Sequence, residues 1–377
     1  MKKTHSPYIQ NLIKELSEDK MPKITIVTAT YNLIKAGRKE FFKKCIESIY
    51  SQTYKNFEHI IIDGASDDGT LDLIKEIAPR STVISEPDKG IYDAFNKGVK
   101  KASGEYVHFL NSDDYYTDKK SLEISAKYLS ATDADFSCSD CYFVDENDKI
   151  TNVFYAEPEV FFYYIPFCHQ SMIVKKEALV KAGFFDTKYK IAADYNLIID
   201  LILNGASFVK IPGSITNFRN CGVSSNTINT DIENEEIIRK YFKKEVSSIK
   251  NLVNAKHIFL VPKALIESIM NSRADITIKQ EIARLAERGT NFGKYILFKK
   301  HFSYEKSIKK LKFMLIPFRI KTCRYPRNLG AVEKIFKIEY TNDKTVYRLF
   351  GIPFVSVRNN QSEFALYLFN IPVIKYY

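Results

Sequence analysis

Between Lys23 and Asp114 the sequence alternates short apolar runs, rich in β-branched residues, with segments of helical periodicity. Four runs have the length and composition of buried strands: Lys23–Thr30, His59–Asp63, Thr82–Ser85 and Glu105–Leu110. The segments between them place apolar residues at helical spacing. Strands that alternate with helices predict an α/β fold, in which a parallel or mixed sheet lies between helices.

This fold class indicates where a ligand would bind. In open α/β sheets, ligands lie beyond the carboxyl ends of the strands. Polar residues that directly follow a predicted strand are therefore the first candidates for a site. They are Thr30 to Asn32, Asp63, Glu86 to Asp88, and Asn111 to Asp114.

Composition excludes several classes of protein. The 377 residues, of which 45% are hydrophobic and 14% aromatic, can bury a sizeable core, so we do not expect disorder throughout. No run reaches the roughly 18 uncharged apolar residues of a membrane-spanning helix. The first 20 residues are polar where a signal peptide is apolar, so we expect a cytoplasmic location. Six scattered cysteines with one C-x-x-C favour reduced thiols over a zinc site.

The net charge of +11 is unevenly distributed. Residues 1–230 carry 28 Lys and Arg against 31 Asp and Glu, whereas residues 231–377 carry 28 against 14. A surface with that excess of positive charge could face nucleic acid, an anionic membrane or a phosphorylated substrate. Charge alone does not choose between these partners.

The chain divides by pattern into four regions. We predict an N-terminal extension (1–21), an α/β domain (22–225), a basic helical region (226–310) and a C-terminal region (311–377). Amphipathic helices are predicted over Asp231–Lys250 and Ala274–Arg288. In the C-terminal region the unit Leu349–Val355 is echoed by Leu368–Ile374, with a weaker copy that ends in Ile316–Phe318. These units are typical of short apolar hairpins or strand edges.

Glycine-rich phosphate loops are absent from the sequence. Neither a Walker-type G-x-x-x-x-G-K-[ST] nor a G-x-G-x-x-G motif follows the first strand. A nucleotide would then be held by carboxylates: Asp63 could accept from a uracil imide or a ribose hydroxyl, and Asp113 with Asp114 could hold a divalent ion against a diphosphate. For Asp67 and Asp68 a turn and a helix cap are the simpler interpretation.

Several runs together resemble the family 2 glycosyltransferases, which have the nucleotide-sugar-binding GT-A fold. The resemblance covers residues 22–225, and the motif sequences are most similar to those of the branch that includes colanic-acid and O-antigen transferases. It is carried by ITIVTATYN (24–32), EHIIIDGASDDGT (58–70), SEPDKGIYDAFNKGVKKASGEYVHFLNSDD (85–114), HQSMIVKKEAL (169–179) and GFFDTKYKIAADYNLIIDLILNG (183–205).

The resemblance implies a role for each motif residue. The nucleotide would contact Thr30, Tyr31, Asp63, Asp88 and Asn96. The metal and the diphosphate would be held by Asp113 and Asp114, and the sugar or acceptor by Asn111, His169 and Gln170. The catalytic base would be Asp194, which also stands where a helix N-cap would be expected. Two positions depart from the family pattern: Asn111 replaces the first acid of Asp-x-Asp-Asp, and Phe95 replaces an Arg.

The resulting hypothesis is an inverting glycosyltransferase that moves a hexose from a nucleotide-diphosphate sugar, with UDP as the expected carrier. The expected cofactor is Mn²⁺ or Mg²⁺. The expected acceptor is a bacterial surface glycan such as lipopolysaccharide, capsule or a lipid-linked oligosaccharide. Residues 231–377 would attach the enzyme peripherally to the anionic inner face of the cell membrane, and no nucleic acid partner is expected. The alternatives are a nucleotidyltransferase and a non-catalytic protein that binds glycans or nucleic acid.

Overall fold

The structure is a computed structural model that describes residues 21–158, 161–162, 164–219, 227–246, 268–276 and 278–280, the single residues 13, 16 and 282, and five strands within 336–376. The chain divides into two compact units, Met1–Lys300 and His301–Tyr377. All predicted site residues belong to the first unit.

The first unit contains nine strands and seven helices among its described elements. The strands are β1 (Ile24–Thr30), β2 (Phe57–Asp63), β3 (Thr82–Ser85), β4 (Tyr106–Phe109), β5 (Tyr115–Tyr116), β6 (Phe136–Val144), β7 (Ile150–Phe154), β8 (Ile173–Lys175) and β9 (Phe208–Arg219). The helices are α1 (Lys39–Tyr50), α2 (Thr70–Ile77), α3 (Ile91–Lys101), α4 (Ser121–Thr132), α5 (Lys176–Ala182), α6 (Ala193–Leu203) and α7 (Thr227–Val246). A short 3₁₀ turn covers His169–Ser171.

These strands form one mixed sheet in the order β3-β2-β1-β4-β8-β6-β9-β5, with β7 paired to β6. The four strands predicted from sequence, β1 to β4, pair in parallel, as βαβ connections require. From β8 onward the pairs are mostly antiparallel, apart from the parallel pair of β6 and β9. The predicted α/β class and mixed sheet are therefore confirmed, and the four strands β1 to β4 form a continuous parallel part at one side of the sheet.

Side chains on the two faces of the sheet enter two separate cores. Along β2, Ile60 and Ile62 belong to a core shared with α3, α6 and α7, whereas Ile61 belongs to a core shared with α1, α2 and α4. Strand residues alternate in this way because successive side chains point to opposite faces. The sheet is consequently covered by helices on both sides, as the sequence predicts.

Helix α3 packs directly on β1 at Gly98. A Cβ atom at that position would lie 2.3 Å from Val27 Cγ1, which leaves no room for a side chain. This close approach fixes the helix that follows the Glu86–Asp88 segment, so the residues at its N-terminal end are held near the carboxyl edge of the sheet.

Helix α7 confirms the predicted helix at Asp231 and adds to the first core. Its residues Ile237, Ile238 and Phe242 are buried there, together with Ile269 and Ala274 from the segment that follows. Among the residues that the structure describes, no helix combines the length and the apolar character needed to cross a bilayer.

The second unit is a five-stranded antiparallel sheet of β10 (Phe336–Tyr340), β11 (Lys344–Leu349), β12 (Ile352–Asn359), β13 (Phe364–Leu368) and β14 (Ile371–Tyr376). The repeated units stand at equivalent places in it. Leu349 pairs with Ile352, and Leu368 pairs with Ile371. In both pairs of strands the register shifts where the proline of the unit enters the ladder. The predicted strand pairing is confirmed, while the weaker copy at Ile316–Phe318 lies outside the described residues.

Cross-strand rows in this sheet alternate in polarity. One row joins Lys344, Arg358, Ala365 and Lys375. The next row joins Tyr340, Thr345, Val357, Leu366 and Ile374. The register thus places three basic residues in one cross-strand row, and mainly apolar residues in the next.

Candidate active site

The predicted site residues lie along one edge of the mixed sheet, at the carboxyl ends of β1, β2, β3 and β4. Thr30 pairs with Asp63, and Asp63 pairs with Ser85, so three strands end in one row. Strand β8 runs antiparallel to β4, with Ile173 opposite His108. The turn His169–Ser171, which precedes β8, is therefore at the same edge as Asn111 to Asp114.

Asp63 is fully buried at this edge and accepts four hydrogen bonds. Its donors are the Thr30 hydroxyl at 3.1 Å, the Ser66 backbone N–H at 2.9 Å and hydroxyl at 2.6 Å, and the Ser85 hydroxyl at 2.7 Å. Three of the four donors are hydroxyls, which can rotate to other partners. A buried carboxylate is tolerated only when it is hydrogen-bonded in this way. The carboxylate of Asp63 is therefore an oriented hydrogen-bond acceptor at the ends of the three strands.

Tyr31 and Asp88 both lie close to Gly64, the residue that follows Asp63. A Cβ atom at Gly64 would lie 2.7 Å from Asp88 Oδ2 and 3.2 Å from Tyr31 Cδ2. Tyr31 is 64% exposed, so its ring is available to a ligand. The Asp88 carboxylate accepts the Gly90 backbone N–H at 2.8 Å, which orients it at the start of α3. The structure thus brings four of the five predicted nucleotide residues together.

Other predicted residues have structural partners. The Asn96 amide exchanges two hydrogen bonds with the Phe185 backbone, at 2.9 and 3.0 Å, so both of its polar atoms are engaged. The Gln170 backbone carbonyl lies 2.8 Å from His108 Nε2, a contact that does not involve the Gln170 side chain. Asp68 accepts from the Thr70 backbone N–H and hydroxyl and from the Lys35 backbone N–H, which confirms its interpretation as a turn and helix-start residue.

The acidic motif after β4 buries two adjacent carboxylates. Asp114 is fully buried; its oxygens accept from the Arg219 backbone N–H at 2.8 Å and from Asn111 Nδ2 at 2.9 Å. Asp113 is 7% exposed and forms an ion pair with Arg38 at 3.0 Å. Because Asn111 donates through Nδ2, its Oδ1 is left buried and without a hydrogen-bond partner among the described residues.

Burial raises the pKa of both acids. It raises the pKa of Asp113, against the opposing effects of Arg38 and Arg219. It raises the pKa of Asp114 well above the usual range, and the neighbouring Asp113 charge adds to this. Two adjacent buried carboxyl groups are costly to keep ionised. A bound cation would offset that cost, so this site favours a cation.

The oxygens present fit a hard divalent ion. Asp113, Asp114 and the unpartnered Asn111 Oδ1 are carboxylate and amide oxygens, the ligand types that Mg²⁺ and Mn²⁺ take in proteins. Within the described residues, no group of three His, Cys, Asp or Glu side chains is assembled to hold a metal. The amide oxygen is therefore the third candidate ligand, and the fit does not depend on a third acid.

Arg219, which the sequence did not single out, connects this motif to the β6–β7 hairpin. Its side chain is 1% exposed and lies over the Phe41 ring. The guanidinium donates to the Asp148 carboxylate at 2.6 Å, the Asp145 carbonyl at 2.7 Å and the Asp113 carbonyl at 3.3 Å. One buried arginine thereby links the backbone of Asp113 to the β6–β7 hairpin.

Asp194 lies in the first turn of α6, where the structure pairs it with His169. Its Oδ2 is 3.0 Å from His169 Nδ1, and its Oδ1 accepts the Tyr195 backbone N–H at 2.8 Å. The N-cap position itself is Ala192. Both side chains are about nine-tenths buried. Asp194 is thus a first-turn acid with a histidine partner, and its expected role as an N-cap is wrong.

The loop before Asp194 is held by Glu233 of α7. One Glu233 oxygen accepts the Ile191 and Ala192 backbone N–H groups, both at 2.9 Å, and the other accepts the Lys190 N–H at 2.9 Å. Glu233 lies outside the 22–225 region of the resemblance, so no motif could identify it. A residue beyond the predicted domain boundary supports the segment that carries the expected base.

Both the His169–Asp194 pair and the acidic motif influence the thiol of Cys168. The pKa of the Cys168 thiol is raised by its contact with Cys141, by burial, and by the negative charges of Asp114 and Asp194. Cys168 directly precedes His169 in the chain, and both carboxylates contribute to its electrostatic environment.

Comparisons with known proteins identify the family to which this chain belongs. A family model described as Glycosyl transferase family 2 matches residues 25–180. An uncharacterized glycosyltransferase from Methanocaldococcus jannaschii is 32% identical over 211 residues, which span 52% of this chain and 71% of that protein. The chain belongs to glycosyl transferase family 2. This family 2 enzyme has the GT-A fold, as its sequence resemblance implied.

Two further proteins are similar to this glycosyltransferase. WfaP of Escherichia coli, a UDP-Glc:α-D-GlcNAc-diphosphoundecaprenol β-1,3-glucosyltransferase, is 34% identical over 142 residues, which span 37% of this chain and 54% of WfaP. The solved mannosyltransferase PcManGT from Pyrobaculum calidifontis, in complex with GDP-Man and Mn²⁺, has a TM-score of 0.48 at 17% identity, over 82% of this chain and 87% of that one. Family membership sets aside the non-catalytic and nucleotidyltransferase alternatives.

Proposed function

We propose that this glycosyltransferase moves a hexose, with inversion, from a UDP-sugar to a hydroxyl group of a bacterial surface glycan. The observation that carries the proposal is the buried pair Asp113 and Asp114 with the unpartnered Asn111 Oδ1, at the same sheet edge as Asp63 and Asp194. The similar enzyme WfaP uses UDP-glucose as donor and a diphosphoundecaprenol-linked acceptor. This similarity supports a UDP-sugar donor and a lipid-linked acceptor.

In this proposal the nucleotide occupies the strand-end row. Tyr31 offers an exposed ring for stacking on the base, and Asp88 a carboxylate for ribose hydroxyls. Asp63 accepts the uracil imide N–H in place of one rotating hydroxyl donor, since Thr30, Ser66 and Ser85 can each turn away. Asn96 acts indirectly by fixing the turn at Phe185 against α3.

The diphosphate lies over the acidic motif. Asp113, Asp114 and Asn111 would hold a divalent ion, which when bound neutralises charge on the departing diphosphate. Arg38, which is paired with Asp113 at 3.0 Å, would stand beside the diphosphate, and its guanidinium could bind phosphate oxygens in bidentate geometry. Arg219 and Asp114 keep the loop backbone fixed.

The acceptor hydroxyl approaches from the side of Asp194 and His169. Transfer with inversion needs a group that takes the hydroxyl proton while the oxygen attacks the anomeric carbon. The Asp194 and His169 pair is a buried acid–imidazole unit beside the acidic motif, and it is the proposed proton acceptor.

The proposed location is the cytoplasmic face of the membrane, where lipid-linked acceptors would be met. The basic row of the second unit, Lys344, Arg358 and Lys375, supports this part of the proposal. Each such side chain near an anionic surface contributes about 1 kcal/mol of attraction.

Nucleotide titration tests the proposed donor class. Calorimetric titration of the protein with UDP, GDP and CMP, with Mn²⁺ and with excess EDTA, should show UDP binding that is tightest with the metal. Equal affinities for all three nucleotides, or tightest binding in EDTA, would remove the UDP and metal parts of the proposal.

A further inference from the structure

His169 is the only histidine of the described active-site edge whose ring has one partnered and one unpartnered nitrogen. Its Nδ1 is 3.0 Å from Asp194 Oδ2. Its Nε2 is buried and has no hydrogen-bond partner among the residues that the structure describes. Buried polar atoms are normally satisfied, so an orphaned ring nitrogen in an enzyme site calls for a ligand.

The partner of Nδ1 decides the state of Nε2. An ionised carboxylate only accepts hydrogen bonds, so the hydrogen between His169 and Asp194 belongs to Nδ1. In the neutral ring the other nitrogen then carries a free lone pair. Asp194 therefore selects the tautomer in which Nε2 is a base.

Asp194 itself is less suited to take a proton. Oδ2 is engaged by His169, and Oδ1 accepts the Tyr195 backbone N–H at 2.8 Å. The Tyr92 hydroxyl lies 2.5 Å from the Ile191 carbonyl and 3.2 Å from Oδ1, and it can donate to either oxygen. The carboxylate is thus enclosed by protein groups on both oxygens.

We propose that His169 Nε2 is the atom that receives the acceptor proton, and that Asp194 is the residue that positions and polarises the ring. This inference rests on the proposed function, which it makes specific to one atom. The acceptor O–H bond breaks and its proton passes to Nε2. The acceptor oxygen forms a bond to the anomeric carbon, and the electron pair of the carbon–diphosphate bond leaves with the nucleoside diphosphate. The resulting imidazolium stays hydrogen-bonded to Asp194 and returns its proton to solvent.

The substitution His169→Asn separates the two roles. The asparagine side chain would keep an amide N–H near the place of Nδ1, and so keep a donor for Asp194, but it would have no basic nitrogen in place of Nε2. If His169 only positioned Asp194, His169→Asn would retain turnover. If Nε2 is the base, turnover falls by the roughly 10²–10⁴-fold that a general base contributes.

The kinetic experiment compares three variants. UDP release from UDP-glucose with Mn²⁺, water serving as acceptor, is measured for His169→Asn, Asp194→Asn and the control His59→Asn, alongside UDP affinity by calorimetry. His59 is a matched control because it is buried in β2 and both its ring nitrogens have partners, Ser81 and Thr28. The first two variants should lose turnover with UDP affinity unchanged within about threefold, whereas His59→Asn should not. A His169→Asn variant that retains more than a third of the wild-type rate would overturn the proposal.

A spectroscopic measurement decides the same point without turnover. With only six histidines in the chain, ¹⁵N-labelled histidine gives assignable ring signals. The free protein should show His169 as the neutral Nδ1–H tautomer, and Asp194→Asn should change that tautomer while leaving the His59 signals in place. A ring that carries its hydrogen on Nε2, or that is cationic at pH 7.5, contradicts the inference. If wild-type protein releases no UDP from any nucleotide sugar, the proposed function fails and this signal still tests the geometry.

Discussion

The Arg219 backbone N–H donates to the Asp114 carboxylate at 2.8 Å, while the Arg219 side chain donates to the Asp113 carbonyl and to the β6–β7 hairpin. The acidic pair therefore has a defined position before any donor arrives. Groups that are already in place need not reorganise when the substrate binds, which is the condition for electrostatic stabilisation of a leaving group.

Removal of the Arg219 side chain should lower the stability of the fold. Arg219→Met leaves the Asp113 and Asp145 carbonyls without their buried donor, and each such loss costs about 1–3 kcal/mol. We expect the free energy of unfolding in urea to fall by roughly 2–4 kcal/mol. The control is Lys44→Met, which removes a half-exposed ion pair with the same Asp148 and should cost less than about 1 kcal/mol. Equal losses in the two variants would show that Arg219 has no special role.

Asp113→Asn should separate metal-dependent from metal-independent nucleotide binding. The variant loses one of the two carboxylates proposed to hold the ion. With Mn²⁺ present, its UDP dissociation constant should rise at least about tenfold, which corresponds to about 1.4 kcal/mol. In excess EDTA, wild type and variant should bind UDP alike. A variant that binds UDP as tightly as wild type in Mn²⁺ would exclude Asp113 as a ligand.

Acidification should destabilise the protein through two buried histidines. Burial lowers the pKa of His59 from 6.5 to about 3. Burial, aided by the nearby His169, also lowers the pKa of His108 to about 4. Since the unfolded chain takes up these protons first, stability falls as the pH drops below 6.5, by up to about 1.4 kcal/mol per pH unit for each histidine.

Urea unfolding at pH 7 and pH 5 measures this loss. In His59→Asn the drop between the two pH values should be smaller than in wild type by about 2 kcal/mol, because one of the two groups is gone. The same drop in both proteins would mean that His59 is protonated in the folded state or does not differ between the folded and unfolded chains.

Neutralisation of the basic row should weaken membrane binding. The triple variant Lys344→Gln, Arg358→Gln and Lys375→Gln should lose about 3 kcal/mol of attraction to vesicles with anionic lipid at 0.1 M salt, roughly a hundredfold in the partition coefficient. A matched triple variant at Lys100, Lys101 and Lys149, which are exposed in the first unit, is the control. Co-sedimentation of full-length protein gives the readout. Binding to neutral vesicles at the same level, or equal losses in both variants, would remove the basic row from the proposal.

Local sequence patterns predicted the parallel part of the sheet and its ligand edge. Strands β1 to β4 are short apolar runs followed by polar turns, so their periodicity is visible without tertiary information. Strand β9 was not predicted, because Pro212 and Gly213 interrupt its pattern and the register with β6 shifts at that point. Its pairing depends on a partner strand about 70 residues away.

The site residues likewise divide into those that local sequence patterns predict and those that only the folded chain reveals. Asp63 and Asp113 directly follow strands, so the topological rule finds them. Arg219 and Glu233 act through backbone groups far along the chain, and no local spacing encodes such contacts. Arg38 is an intermediate case: it lies in the loop after β1, where a basic residue near a diphosphate could have been suspected. The pairing of His169 with Asp194 likewise becomes visible only in the folded chain.

Release of UDP from UDP-glucose by the purified protein with Mn²⁺ is the decisive measurement for metal-dependent sugar transfer from UDP. A panel of UDP-, GDP- and CMP-linked sugars is assayed under the same conditions, with Asp113→Asn as the inactive reference. We expect slow release of UDP from at least one UDP-hexose. This release should be abolished in Asp113→Asn and in excess EDTA. Release at the same rate by Asp113→Asn, or by wild type in EDTA, or no release from any sugar of the panel, would contradict it.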